Sequence, residues 1–191
     1  MSSRDQIIQA VQQAQPQLLS LPSLSKPMAS DDLVGTFKAV LQKIGGAIVE
    51  LSSPSELKAA LEQKSSGYKR VISNLSAFSQ VENFSFAEGH SFENTDLLVL
   101  QSPLAVAENG AIWVDDQLMP QRVLPFITQH LAVVIHAAEI VPTMHEAYEF
   151  VGNRNYGFGV FIAGPSKTAD IEQSLVLGAH GPKTMTVFLV H

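Results

Sequence analysis

The sequence predicts an α/β protein with an open, mostly parallel sheet that is covered by helices and preceded by an N-terminal helical arm. From residue 30 onward, helical and strand patterns alternate, which is typical of an α/β sheet. Several runs are apolar on both faces, as expected for buried parallel strands: "LLVL", "AVVI" and "VFIA". The chain has 191 residues, of which 46% are hydrophobic and 16% charged, so it can bury one substantial core.

The first 29 residues are predicted to form an arm and a linker, and residues 30–191 the α/β domain. "DQIIQAVQQAQPQLL" places Ile7, Ile8 and Val11 on one helical face, and Pro16 ends that helix. "SLPSLSKPMAS" is rich in proline and serine, which is typical of a linker. The helix is therefore expected to dock on the body of its own chain or on a second subunit. In the second case the protein would be a homo-oligomer.

Within the domain, local patterns predict each element in turn. Ser53 before Pro54, with Glu56 three positions after Ser53, predicts a capped helix start. Residues 75–94 are long and polar, and they are either a lid-like segment or structure that the pattern does not reveal. The predicted helices are "SDDLVGTFKAVLQKIGG", "SPSELKAALEQK", "PTMHEAYEFV" and "TADIEQSLVLG". The predicted strands are "GAIVELSS", "KRVISN", "TDLLVLQS", "PLAVAENG", "AIWVDD", "HLAVVIHA", "YGFGVFIAG" and "TMTVFLVH".

Composition excludes several classes of function. Without cysteine, the chain cannot hold an iron–sulfur cluster through thiolates or use a cysteine nucleophile. A net charge of −6 argues against nucleic acid or an anionic membrane as a partner. Since no run approaches the roughly 18 apolar residues of a membrane helix, we expect no membrane span and a cytoplasmic protein.

The first candidate site is "AVAENGAIWV". Asn109-Gly110 between two strands predicts a hairpin turn, because such turns need positive φ. Glu108 at the end of an apolar strand is not explained by the turn. It is either part of the turn or a carboxylate directed at the sheet edge where α/β folds keep their sites.

The second candidate is "GPSKTADIEQSLVLGAHGP", residues 164–182. A strand followed by a helix start would direct backbone N–H groups at an anion, with hydroxyls and a cation beside them. Asp170 and Glu172 in the same turn would repel a phosphate. Either they cap the helix, since Asp170 with Gln173 three positions on fits a capping box, or the two carboxylates bind hydroxyls or a cation. His180 lies in the turn before the last strand and is a hydrogen-bonding or catalytic candidate. The expected ligand-binding residues here are Gly164, Pro165, Ser166, Lys167, Thr168, Glu172, His180 and Gly181.

Other candidates are weaker. Arg154, in "VGNRNYGFG", is either an anion-binding fork or a solvated helix end. His145 and Glu146 lack the spacing of a zinc helix, so no metal site is predicted. No serine-hydrolase elbow occurs.

The segment "GPSKTADIEQSLVLGAHGP" resembles the C-terminal signature of the lactate utilization protein C family, the LUD domain. The resemblance extends upstream through "LLVLQSPLAVAENGAIWV". Lys167 stands where many members have arginine, and Asn109 where many have threonine. The resemblance implies the open α/β sheet shared by sugar-phosphate isomerases (the NagB/RpiA type) and coenzyme A transferases.

The resemblance also implies a function. It implies a role in oxidising L-lactate to pyruvate together with iron–sulfur partner proteins. This chain would bind either a small anionic ligand or those partner proteins. In coenzyme A transferases a similar turn holds a nucleophilic glutamate, so Glu108 is alternatively the nucleophile or base of a stand-alone acyl transferase or isomerase. Glu108, Asp170 and His180 are thus the catalytic candidates, and Asn109 and Gly110 complete the expected pocket. The cofactor stays unknown.

Overall fold

The computed structural model describes residues 2–17, 19–20, 31–75, 89–119, 121–152, 154–171 and 174–191. The helices are Ser3–Gln13 (α1), Leu33–Lys43 (α2), Pro54–Ser65 (α3), Leu124–Ile127 (α4) and Met144–Gly152 (α5). Short 3-10 helices span Gly89–Phe92 and Ala137–Glu139. The strands are Ala47–Leu51 (β1), Val71–Ser73 (β2), Leu97–Gln101 (β3), Ala105–Val106 (β4), Ile112–Asp115 (β5), His130–His136 (β6), Ile140–Val141 (β7), Gly159–Ile162 (β8), Lys167–Ile171 (β9), Ser174–Leu177 (β10) and Thr184–Val190 (β11).

The central sheet has five parallel strands in the order β1-β11-β6-β3-β2. His130 is opposite both Thr184 and Leu97, so the three middle strands begin at the same level. These strands are buried along nearly their whole length. The predicted α/β class, with a mostly parallel sheet and helices against it, is confirmed.

A second sheet of four strands, in the order β7-β4-β5-β8, was not predicted. Strand β4 is antiparallel to β5 and parallel to β7, and β5 is antiparallel to β8. Its strands come from the two chain segments that connect β3 to β6 and β6 to β11. The prediction that "VFIA" is a buried parallel strand is wrong: β8, which contains "VFI", is half-buried and pairs antiparallel with β5 in the second sheet.

The two sheets and their helices bury three apolar clusters. Helix α3 covers one face of the central sheet with side chains such as Leu61. Helix α2, through Phe37 and Leu41, and the second sheet cover the opposite face. Helix α5 covers the outer face of the second sheet around Trp113. The core therefore lies on both faces of the parallel strands and fixes where their two ends emerge.

Helix starts follow their predicted caps only in part. The Asp32 carboxylate accepts a 2.7 Å hydrogen bond from the Gly35 amide at the start of α2. At the start of α3, Ser53 forms no side-chain cap. Glu56 instead accepts from the Ser52 amide at 3.2 Å, one residue earlier than the predicted capping box.

The helix predicted over "TADIEQSLVLG" is wrong, because this segment forms the antiparallel hairpin β9-β10. The backbone holds its two ends together: the Gly178 amide donates to the Ser166 carbonyl at 3.2 Å, and the Ser166 amide to the Pro182 carbonyl at 2.9 Å. Eleven helical residues would separate their ends by roughly 16 Å. A hairpin returns the chain to its start, and β-branched Thr168 and Val176 pair across it.

The N-terminal arm contains the predicted helix, α1. Ser2 and Asp5 form a reciprocal capping box, so the helix start is stabilised locally. Ile7 is 64% exposed and Val11 58% exposed, so the apolar stripe is uncovered within one chain. Docking on a second subunit stays a prediction. Every helix in the described part of the chain is too short or too polar to cross a bilayer.

Candidate functional site

The predicted ligand loops line a cleft at the amino ends of the central strands, which we call the amino-edge cleft. Its volume is about 270 Å³. Pro182 lies two residues before β11, and Phe126 lies four residues before β6, so the wall is made where these strands begin. The cleft is lined by Pro125, Phe126, residues 160–167 and residues 180–182.

Backbone hydrogen bonds and close packing shape this cleft. Besides the two bonds of Ser166 with Pro182 and Gly178, Gly181 packs against the Ser166 side chain, where an added Cβ would lie 3.2 Å from Ser166 Cβ. The Lys183 amide donates to the Gln129 carbonyl at 2.8 Å, just before β6 and β11 pair. The loop that precedes β9 and the turn that follows β10 therefore form one ordered wall.

The C-terminal end of α2 supports this wall. The Lys167 amine donates a 2.5 Å hydrogen bond to the Ile44 carbonyl oxygen. Gly164 has φ +75°, and an added Cβ would lie 3.0 Å from that same oxygen. Gly110, from the predicted hairpin turn, has φ +70° and packs against Ile44 and Leu41. Two glycine turns that are distant in sequence thus meet at one helix end.

The structure brings together most of the predicted ligand residues. The amino-edge cleft is lined by Gly164, Pro165, Ser166, Lys167, His180 and Gly181. Thr168 follows in β9, where it pairs with Val176. The helix start at which this anion site was predicted is absent, because the segment forms strand β9. The anion site itself stays a prediction. Any anion binding at this cleft would depend on Lys167, His180 and the local backbone.

The hairpin turn at Glu108 lies outside the cleft. The turn prediction is confirmed: Gly110 donates its amide to the Val106 carbonyl, and Asn109 Oδ1 accepts from the Ala111 amide at 3.0 Å. The Glu108 side chain is exposed, and its amide donates to the Pro142 carbonyl at 3.1 Å. The catalytic role of Glu108 stays a prediction.

Two predicted carboxylates cannot be placed. The backbone of Asp170 lies in β9, but its side chain, like the whole of Glu172, lies outside the described part of the chain. Most of the predicted lid-like segment, residues 76–88, is also outside it.

Arg154 does not reach the cleft. Its Nε atom lies 3.4 Å from Asp115 Oδ2, and its guanidinium lies over the Phe150 ring, 5.3 Å from the ring centroid. Arg154 therefore joins the end of α5 to the second sheet. In the described residues, no three His, Asp or Glu side chains lie close enough to hold a metal ion.

A second cleft lies at the carboxyl ends of the central strands, and the sequence did not reveal it. This carboxyl-edge cleft has a volume of about 490 Å³. Asn74 follows β2, Gln101 ends β3 and Glu139 follows β6, so three strands deliver polar side chains to it. Its apolar wall consists of Leu57, Leu75, Leu118, Pro54 and Pro103. Only the strand order shows that these distant residues meet.

Comparison with known proteins identifies the family. Residues 88–190, more than half of the chain, match the model of the LUD domain. The chain belongs to the LUD domain family. Lactate utilization protein C of Bacillus pumilus is 28% identical over 193 residues, covering 85% of this chain and 80% of that relative. Lactate utilization protein C of Anoxybacillus flavithermus is 26% identical over 181 residues, covering 85% and 82%.

A solved structure shares the fold of this LUD domain protein. The crystal structure of a DUF162 family protein from Deinococcus radiodurans superposes with a TM-score of 0.66 at 19% identity. The match covers 86% of this chain and 100% of that chain. The likeness confirms the α/β architecture.

The two clefts of the LUD domain differ in charge. Among its described lining residues, the ionisable groups of the amino-edge cleft are Lys167 and His180, which both hold positive charge when protonated. The ionisable group that lines the carboxyl-edge cleft is Glu139, a carboxylate. The first cleft therefore suits an anion, and the second suits a hydroxyl-bearing or cationic molecule.

Proposed function

We propose that this LUD domain protein is a component of an L-lactate utilization system and binds a small carboxylate, of the lactate and pyruvate class, in the amino-edge cleft. The family match and the names of the relatives, which are lactate utilization proteins C, support the role in lactate use. The observation that supports the ligand is that Lys167 lines the cleft and that the Ile44 carbonyl holds its amine.

Lys167 is held in place yet retains donors for a ligand. A lysine ammonium has three N–H donors, and one of them is occupied by the Ile44 carbonyl. Within the described part of the chain the other two have no partner, so a carboxylate can accept from them, and a hydrogen bond between charged groups is about twice as strong as a neutral one. The fixed amine also loses little rotamer freedom when a ligand binds.

The size and the walls of the cleft suit a three-carbon acid. Its volume of about 270 Å³ is at the lower end of ligand pockets. Phe126 and Val160 supply an apolar wall for a methyl group. His180 and Ser166 are the further polar side chains of the lining, and they would contact the hydroxyl or keto oxygen.

A titration calorimetry experiment tests this proposal. L-Lactate and pyruvate should bind the wild-type protein, and Lys167→Met should weaken binding at least tenfold, because about 1.4 kcal/mol is lost with one charged hydrogen bond. Lys183→Met is the matched control, since Lys183 is exposed and lies beside the cleft without lining it. Equal affinities in wild type and Lys167→Met would contradict the proposed ligand site.

The exposed arm supports a second contribution, the docking of iron–sulfur partners. Oxidation of lactate to pyruvate releases two electrons, and a chain without cysteine cannot pass them to a thiolate-bound cluster of its own. Helix α1 exposes Ile7, Ile8 and Val11, an apolar stripe that a partner would bury. Replacing all three by Gln should abolish co-purification of iron–sulfur proteins, which are detected by the visible absorbance of their clusters. Unchanged co-purification would contradict this contribution.

A further inference from the structure

The carboxyl-edge cleft has the position and the lining of a ligand site. In α/β sheets, ligands bind outside the carboxyl ends of parallel strands, where loops from neighbouring strands diverge. Here β2 and β3 are parallel neighbours: β2 ends at Ser73, opposite Val99, and β3 continues two residues further to Gln101. The volume of about 490 Å³ is within the range of small-molecule pockets.

The polar groups of this cleft are held in fixed positions. Asn74 Nδ2 donates to the Leu118 carbonyl at 2.8 Å, and Asn74 Oδ1 accepts from the Gln101 amide at 3.4 Å. An amide side chain can form about four hydrogen bonds, so a further donor and a further acceptor remain at Asn74. Its orientation is therefore set before any ligand arrives, which reduces the entropic cost of binding.

Glu139 determines the charge that the cleft accepts. Its Oε2 atom accepts from the His136 amide at 3.1 Å, which fixes the carboxylate at the end of β6. A carboxylate has about four acceptor positions, so it can also accept from two neighbouring hydroxyls. Because Glu139 is the ionisable residue among the described lining residues, a phosphate or carboxylate ligand would be repelled.

We infer that the carboxyl-edge cleft binds an uncharged ligand of the nucleoside class, with vicinal hydroxyls on Glu139, Asn74 and Gln101 and a flat ring against the leucine and proline wall. The inference depends on the clustering of these groups at one sheet edge and is independent of the carboxylate proposed for the opposite edge. The two sites would then hold chemically different molecules at opposite edges of the same sheet.

Adenosine is the probe, and adenosine 5′-monophosphate is its charged counterpart. In NMR titrations of the full-length protein, adenosine at millimolar concentration should shift the side-chain amide signals of Asn74 and Gln101. The monophosphate should bind more weakly than adenosine. Absence of shifts up to about 10 mM adenosine, or tighter binding of the monophosphate, would overturn the inference.

Matched variants locate the site. Glu139→Gln retains the acceptor for the His136 amide and removes the charge, and it should weaken adenosine binding at least tenfold, as should Gln101→Ala. Glu93→Gln is the charge-matched control, because Glu93 is exposed and lies outside this cleft. L-Lactate affinity should be the same in all three variants. Adenosine affinities that do not change in Glu139→Gln and Gln101→Ala would place the nucleoside elsewhere and overturn the assignment.

Discussion

The Lys167 amine donates a 2.5 Å hydrogen bond to the Ile44 carbonyl oxygen, at the C-terminal end of helix α2. The two residues are 123 positions apart in the chain. A cation at a helix C-terminus is favourable because the helix dipole concentrates negative partial charge there. The contact links the start of β9 to the helix that covers the central sheet, so the cleft and the core are stabilised together.

This contact predicts that Lys167→Met lowers the free energy of unfolding by about 1 kcal/mol, the usual value of one such hydrogen bond. Lys167→Arg should retain most of the stability because it retains the cation. Urea denaturation measures both variants. If Lys183→Met, the exposed neighbour, cost as much as Lys167→Met, the contact with Ile44 would not be the cause.

Gly164→Ala should destabilise the protein by at least about 1–2 kcal/mol, the cost of a left-handed conformation for a residue with Cβ. The added Cβ would also lie 3.0 Å from the Ile44 carbonyl oxygen. Gly152→Ala is the control, because Gly152 ends α5 and nothing lies within 4 Å of its added Cβ. Thermal unfolding should show a loss for the first variant and no loss for the second.

Asp115→Ala should cost about 1–3 kcal/mol, because it leaves the buried Trp113 Nε1–H without its acceptor and removes the charge beside Arg154. Asp115 is fully buried, and its carboxylate accepts from Trp113 Nε1 at 3.1 Å and lies 3.4 Å from Arg154 Nε. Asp115→Asn should cost less, since an amide oxygen still accepts from the Gln117 and Leu118 amides. Denaturant unfolding measures the free energy of unfolding of both variants. A smaller loss of stability in Asp115→Ala than in Asp115→Asn would contradict the prediction.

Stability should fall as the pH falls below about 6.5, and His130 should contribute to that loss. Burial, followed by the charges of Lys64 and Lys183, lowers the pKa of His130 below its usual 6.5, although Asp96 opposes the shift. The unfolded state then binds the proton more readily than the folded state, so acid favours unfolding and pH above about 6.5 has no such effect.

His130→Gln should flatten this dependence in the pH range just below about 6.5. His130 Nδ1 lies 2.8 Å from Thr184 Oγ1, and its ring lies 4.9 Å from that of Tyr68, so Gln preserves a polar partner for Thr184. Asp96 titrates below this window, because the amides of Arg70 and Lys69 lower its pKa from 3.8. Identical pH profiles in wild type and variant would contradict the role of His130.

Deletion of residues 1–29 should leave the unfolding free energy of the domain unchanged, because every residue of α1 is exposed. The expected boundary at residue 30 is tested by the same variant. Analytical ultracentrifugation of the full-length and the shortened protein then measures whether the arm is needed for association with a second subunit. A lower denaturation midpoint in the monomeric shorter chain would show that the arm stabilises the body of its own chain.

Local patterns predicted most of the fold for a physical reason. The strands "LLVL" and "AVVI" are buried on both faces, so their continuous apolar sequence is itself the signal of a covered parallel strand. Helix α2 has an Asp cap and a terminal glycine pair, which are short-range determinants. The Asn109-Gly110 turn needs positive φ at Gly110 and has it.

The hairpin β9-β10 and the cleft that it borders could not be predicted in this way. "TADIEQSLVLG" has apolar spacing compatible with a helix. The hydrogen bonds of Ser166 with Gly178 and Pro182 instead hold the two ends of the segment together, as a hairpin requires. The second of these bonds joins the hairpin to Pro182, in the loop that leads into β11, and β11 pairs with β6. Tertiary contacts therefore override a weak local preference, as they do whenever propensity differences are below about 1 kcal/mol.

Short-range patterns were sufficient to predict the α/β class, the helix of the arm, the turn at Gly110 and the two loops that contain Ser166, Lys167 and His180, because each depends on residues close together in the chain. Long-range packing of the strands places these loops at the amino ends of the central strands, in a cleft that Glu108 does not line. It alone brought Asn74, Gln101 and Glu139 together at the opposite edge. The order of parallel strands is set by long-range burial of their two faces, and short-range sequence patterns do not predict that order.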